Sequence, residues 1–318
     1  MRVYFAPMEG ITGFLYRKAH HRHFGGADRY YMPFLSPSGD HVFTKRDLRE
    51  IAPENNRDID VVPQLLTRHS ADFIWAAGEL ETRGYSEVNL NLGCPSGTVT
   101  AKGKGAGLLA FPEELDRFLE EIFSGTKLRV SVKTRLGMTR PDEFEELLSV
   151  YEKYPISELI IHARVRADFY KYPARMEAFD GLAGRTRSSL CYNGDLVTEE
   201  DCRRFERGHP GVEAVMLGRG LVADPALARK VHGGRGAAKK ELQEFCDELY
   251  ESYAAAFGSK HNAMLRMKEL WSYQIGLFEE GETYGKRLRK ASDSTCFEDV
   301  VRSLFQDLEL RGHAVPVW

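Results

Sequence analysis

The chain has 318 residues, 42% of them hydrophobic, with a formal charge of -3 at neutral pH and a pI near 6.4. That length can bury a full-sized core with room for a small second domain, and the charge excludes a generally basic nucleic-acid coat, leaving a local patch as the only way to hold a folded RNA. No run approaches the roughly 18 consecutive apolar residues of a membrane span. Arg2 precedes only a short apolar run that Glu9 interrupts, so no targeting segment is expected.

Short β-branched or apolar runs recur at residues 3–6, 29–32, 61–65, 87–91, 129–133, 158–162, 189–192 and 214–217, with helical patterns between them. This rhythm predicts eight parallel strands in a closed α/β barrel. The clearest intervening helices are expected at 71–82, 112–123, 141–153 and 198–207. Pro112 and Pro141 suit first-turn positions, Glu113 and Glu114 suit the positive helix start, and Thr198 with Asp201 forms a capping pair. Residues 34–60 are too long for an ordinary βα connection and lack a clean period. After the linker Gly233-Gly-Arg-Gly236 the strands stop, and Leu242, Phe245, Cys246, Leu249 and Tyr253 fall at helical spacing. Phe297, Val300, Val301, Leu304 and Leu308 do the same, with Thr295 and Glu298 expected to box the start of that helix. The expected fold is therefore a (β/α)8 TIM barrel over residues 1–235 followed by an all-helical bundle over 236–318.

Five cysteines, Cys94, Cys191, Cys202, Cys246 and Cys296, form no C-x-x-C pair, so neither a disulfide framework nor a zinc knuckle is expected and a reducing cytoplasm fits. His20, His21 and His23 have no local carboxylate or cysteine to complete a metal set, so no metal is expected.

In a parallel barrel the working residues stand at the carboxyl ends of strands. Those exits carry Pro7, Met8 and Glu9, then Gln64, Asn91 and Cys94, Lys133 and Arg135, His162 and Arg164, Asn193, Gly194 and Asp195, and Gly218 with Arg219. The last two groups follow the seventh and eighth strands, where barrels commonly bind phosphate through backbone N–H groups. The sharpest signal is Val88-Asn-Leu-Asn-Leu-Gly-Cys-Pro95 followed by Lys102-Gly-Lys-Gly-Ala-Gly107: an apolar strand that delivers a thiol on a tight turn, then a glycine-rich loop. That run is not a Walker motif, because the Gly-Lys-Ser/Thr ending is absent.

With Asn91, Gly93, Cys94 and Pro95 and the Lys/Gly-rich loop after them, the sequence resembles the tRNA-dihydrouridine synthase family of flavoproteins. The resemblance covers almost the whole chain and implies an FMN barrel with a helical RNA-docking domain. It implies that Pro7, Met8 and Glu9 open the flavin site, that Gln64, Lys133 and His162 contact the cofactor, and that Asn193, Gly194, Asp195, Gly218 and Arg219 hold its phosphate. It further implies hydride transfer from flavin N5 to uracil C6, a proton from Cys94 to C5, and NADPH or NADH as electron donor. A thiol of ordinary pKa near 8.5 is mostly protonated at neutral pH, as an acid must be. Asn91, Lys133, Arg135 and Arg164 are the expected substrate contacts, Arg164 and Arg166 facing RNA phosphates at the barrel mouth. The partner is a tRNA whose uridine is flipped out of its stack, with ribosomal RNA left open. Gly13 stands where the family carries an aspartate, and residues 33–56 do not align with it. Two other readings stand beside this one: an FMN oxidoreductase of a free pyrimidine, similar to dihydroorotate dehydrogenase, and a non-catalytic RNA-binding barrel.

Overall fold

The computed structural model describes residues 1–317. Nine strands form one sheet in which the registered pairs are parallel: β1 (Arg2–Phe5), β2 (Arg29–Tyr31), β3 (Val61–Val62), β4 (Gln64–Leu65), β5 (Glu87–Leu92), β6 (Arg129–Arg135), β7 (Glu158–His162), β8 (Ser189–Asn193) and β9 (Ala214–Leu217). Their order is β3-β2-β1-β9-β8-β7-β6-β5-β4, so the two ends of the sheet are consecutive pieces of chain separated only by Pro63. They are halves of one stave, and the sheet curls into the expected eight-membered barrel. Pro63 has no N–H to give, which is why pairing changes neighbour there, while its carbonyl accepts from the Asn89 N–H at 2.8 Å.

The barrel interior is filled by Tyr4, Ala6, Tyr31, Val62, Ile160, Cys191, Ala214 and Met216. Below them, at the strand starts, Glu158 accepts from the hydroxyls of Tyr4 (2.9 Å) and Tyr31 (3.0 Å), and burial pushes its carboxyl above the usual range. A buried polar cluster thus stands at the start of β7.

Helices Ser70–Thr82, Pro112–Gly125 and Glu199–Gly208 stand where the sequence places them, and the Thr198–Asp201 cap forms in both directions, at 2.9 and 3.1 Å. The helix expected from residue 141 starts as a 3-10 turn, Pro141–Glu143, because Glu143 folds back to accept from the Met138 and Arg140 N–H groups. It continues as Phe144–Tyr151. The aperiodic stretch after β2 holds a short α-helix, Lys45–Ile51, capped reciprocally by Thr44 and Asp47, and a 3-10 turn, Pro53–Asn55.

The chain divides into two compact units. The first is Met1–Pro7, Arg29–Asp195 and Phe205–Met216; the second is Met8–Asp28, Leu196–Arg204 and everything from Leu217 onward. In the second, helix Phe14–His23 packs on helix Lys239–Phe257 through Tyr16 and Phe24, whose ring centroids lie 5.6 and 5.2 Å from Phe245. Gly258, in the left-handed region at φ +62, ends that long helix, and Ser259 caps Lys260–Gln274. Helices Glu282–Lys290 and Ser294–Asp307 complete the bundle. The last one corrects the expected cap: Asp293, not Thr295, accepts from the Cys296 N–H at 2.9 Å, and Glu298 instead takes the Tyr250 hydroxyl and the Lys260 ammonium.

Candidate active site

Parallel register sets the polar strand exits side by side: Gln64 opposite Asn89, Asn91 opposite Lys133, Arg135 opposite His162, and His162 opposite Asn193. Along β5, Asn89 and Asn91 share a face because side chains alternate along a strand. They form a buried chain of amides with Gln64. Asn89 donates to Ser131 Oγ at 3.0 Å, Gln64 donates to Asn89 Oδ1 at 2.7 Å, and Asn91 donates to Gln64 Oε1 at 2.7 Å. Asn91 Oδ1 then accepts from the N–H groups of Gly93 (3.0 Å) and Cys94 (2.9 Å), which fixes the turn that carries the thiol. Asn91 thus positions Cys94, and among the described residues one of its amide hydrogens has no acceptor.

Cys94 is half-buried, and the glycine-rich run wraps it. The Ala106 N–H donates to the Cys94 carbonyl at 3.1 Å. Gly105 sits at φ +57, and a Cβ there would lie 3.0 Å from both Cβ and the carbonyl oxygen of Cys94, so both conformation and space demand glycine.

Lys133 donates to Asn193 Oδ1 at 2.8 Å, and Asn193 in turn donates to the Met216 carbonyl at 2.8 Å. Burial, with the Arg135 charge adding to it, lowers the Lys133 ammonium from its ordinary 10.5 to about 7. The result is an amine whose charge changes near neutral pH.

The arginines are placed differently from solvent-facing phosphate contacts. Arg135 is fully buried and donates to the carbonyls of Gly93 (2.8 Å), Val165 (3.0 Å) and Phe169 (3.2 Å), with the Tyr170 ring beside its guanidinium. Arg164 is buried too, bonded to the Tyr172 carbonyl at 2.6 Å, to His162 Nε2 at 3.0 Å and to Asp195. Arg166 reaches Thr100 Oγ1 at 3.1 Å. Asp195 also accepts from the Ala174 N–H at 2.9 Å, so it anchors the loop after β7. Gly194 has no room for a side chain, since a Cβ would fall 2.1 Å from the Tyr192 hydroxyl.

Pro7 ends the first strand's exit, whereas Met8, Glu9, Gly218 and Arg219 belong to the second unit. There the Met8 carbonyl accepts from Ile11 and Thr12 at 3.0 Å, with Gly10 at φ +78 making the turn, and Gly218 leads into the short helix Arg219–Ala223. His20 Nε2 lies 2.9 Å from the Pro225 carbonyl and His23 Nε2 2.9 Å from Glu248, and among the described residues no three metal-ligating side chains converge. Nor is any helix among them long and apolar enough to cross a membrane.

Sequence reading missed Asn89 and Ser131, although Asn89 stands two residues before Asn91 on the same strand face. It also missed Asp168, which pairs with Arg175 and accepts from the Val165 N–H at 3.0 Å, and exposed Tyr170.

Known proteins resemble this chain over most of its length. A tRNA-dihydrouridine(16) synthase of Ralstonia nicotianae is 30% identical over 73% of each chain, and one of Pseudomonas putida is 28% identical over 92% of this chain and 94% of its own. A probable tRNA-dihydrouridine synthase 2 of Bacillus subtilis is 27% identical over 96% and 93%. Among solved structures, an NCR variant from Zymomonas mobilis superposes with a TM-score of 0.53 at 14% identity, covering 75% of this chain and 88% of that one, a likeness of fold alone. The family model described as dihydrouridine synthase matches residues 4–306, nearly the full length, and with it the match extends well past the cysteine motif: the chain belongs to the dihydrouridine synthase family.

Proposed function

We propose that this protein reduces the C5=C6 bond of uridines in tRNA to 5,6-dihydrouridine, with FMN as bound cofactor and NADPH as the reductant that reloads it. The observation that carries the reading is the juxtaposition, in one register, of a thiol on a fixed turn and a half-buried lysine: Asn91, which holds Cys94, lies opposite Lys133. Position 16 is the first uridine to examine, because two of the relatives carry it in their names.

The residues present fit a flavin. Lys133 has three ammonium hydrogens and, among the described residues, one hydrogen-bond acceptor, Asn193 Oδ1, so it has donors left for a ring that gathers negative charge. Gln64 and His162 border the same exits, and the resemblance assigns Asn193, Gly194 and Asp195 to the phosphate end. The resemblance assigns Pro7, Met8, Glu9, Gly218 and Arg219 to the same cofactor. When bound, reduced flavin supplies the hydride that reaches uracil C6.

The protein's own groups do the rest. Cys94 Sγ gives its proton to C5, held in place by Asn91. Lys133, poised near neutrality, keeps its proton when negative charge builds beside it. Arg135, with Tyr170 against its guanidinium, and the spare Asn91 hydrogen orient the uracil carbonyls. Arg164 acts through Asp195 and His162 by ordering the loop after β7. The helical segment from residue 236 is proposed to dock the RNA, and the five cysteines, none in a disulfide, suit a reducing cytoplasm.

The test is turnover. Purified protein should be yellow and should convert uridine in an unmodified tRNA transcript with NADPH. Equal efficiency on free uracil or dihydroorotate would move the substrate to a free pyrimidine, and colourless protein without NADPH oxidation would leave an RNA-binding barrel.

A further inference from the structure

The loop that carries Cys94 is closed on itself and then fastened from outside at one side chain. Its internal closure is the Ala106 N–H on the Cys94 carbonyl, together with Gly107, whose missing Cβ would lie 2.6 Å from the Thr100 carbonyl. Thr100 therefore sits against the returning limb of the loop, and the short helix Gly97–Thr100 ends there. From the strand exit two staves away, Arg166 donates from Nη2 to Thr100 Oγ1 at 3.1 Å. Its guanidinium lies over the Phe169 ring, 5.1 Å from the centroid, and its own backbone N–H is fixed on the Gly137 carbonyl at 2.8 Å. Arg166 Nε is buried with no hydrogen-bond partner, so among the described residues the bond to Thr100 is the side chain's one polar anchor. Phe169 adopts φ +50, an uncommon conformation for a bulky residue, which presents its ring to that guanidinium.

We propose that Arg166 is a positioning residue: through Thr100 it holds the Cys94 loop closed, and the Phe169 ring holds Arg166 in place. Arg135 fixes the entrance of the same loop at the Gly93 carbonyl, so the loop is tied at its first turn and at its far limb by arginines from two loops' worth of separate chain. The bond from a charged donor to a neutral hydroxyl is strong enough to bias an open–closed equilibrium while leaving the fold intact. The consequence for catalysis rests on the reading of Cys94 as proton donor; the consequence for the loop does not.

The experiment measures alkylation of each cysteine by iodoacetamide in the flavin-loaded full-length protein, resolved by peptide mass spectrometry. Cys94 is half-buried, Cys296 is exposed and far in sequence, and Cys191, Cys202 and Cys246 are buried, so the last three report unfolding and Cys296 reports reagent strength. Arg166→Met and Thr100→Val should each raise the Cys94 rate roughly tenfold, as loss of one charge-assisted hydrogen bond implies. The double variant should be no faster than either single one, and Thr100→Ser, which keeps the hydroxyl, should react like the parent. In turnover, kcat should fall in Arg166→Met and Thr100→Val with KM for tRNA unchanged, and Thr100→Ser should restore it. An unchanged Cys94 rate in both single variants, or effects that multiply in the double variant, would overturn the tether. Faster alkylation with parental kcat would support the tether and overturn the acid role of Cys94.

Discussion

At the scale of single residues, Cys94 and Lys133 are set up by different means, one by a fixed turn and the other by burial. Asn91 holds the turn that carries Cys94 by accepting from two backbone N–H groups, and the acid role proposed for Cys94 uses the protonated thiol. Cys94→Ala is expected to keep bound FMN, read as visible absorbance, and to lower dihydrouridine formation by about 10²-fold or more, the usual share of a general acid. Lys133 is destabilised as an ammonium by burial. Its pKa is lowered from 10.5 to about 7 in the fold, so between those values the unfolded chain binds more protons than the native one, and stability contributed by this site rises with pH. The penalty of burying the ammonium is full below about pH 7 and is relieved as pH climbs toward 10.5. Urea unfolding of ligand-free protein should therefore show the stability of the parent, relative to Lys133→Met, increasing across that window. A difference independent of pH would mean the lysine is not perturbed.

Among elements, caps and turns decide what the strands alone do not. Asp293→Ala should cost about 1 kcal/mol in urea unfolding, the ordinary value of a lost N-cap, whereas Thr295→Ala should stay within about 0.5 kcal/mol. Equal effects would restore the capping box that the sequence suggests. The strands were legible because apolar runs such as Leu159-Ile-Ile161 stand out against helical spacing, and the exits were legible because polar residues end those runs. The helix Lys45–Ile51 was not, since seven residues offer only Leu48 and Ile51 to a periodicity, yet Thr44-x-x-Asp47 was its signal. Asp293, Ser294 and Thr295 are all capping residue types in a row, and only the packing of Phe297, Val300 and Leu304 selects among them. Arg164 and Arg166 read as surface arginines because their partners, Asp195, the Tyr172 carbonyl and Thr100, are brought in by tertiary structure that spacing does not reveal.

For the molecule as a whole, a change of rhythm near residue 235 does not mark a clean cut. The helical unit includes residues 8–28, and Tyr16 and Phe24 rest on Phe245. A chain ended at residue 235 would expose that apolar face and is expected to be poorly soluble, as measured by the soluble fraction on expression; a soluble, monomeric, flavin-binding product would contradict this. The family assignment and the polar strand exits together make uridine reduction in tRNA the central claim. The most direct test is to map dihydrouridine position by position in tRNA from cells with and without this gene. The expected result is loss at one position or a few, position 16 first, with restoration by the parent gene and not by Cys94→Ala. Full retention of dihydrouridine at every position would contradict the account.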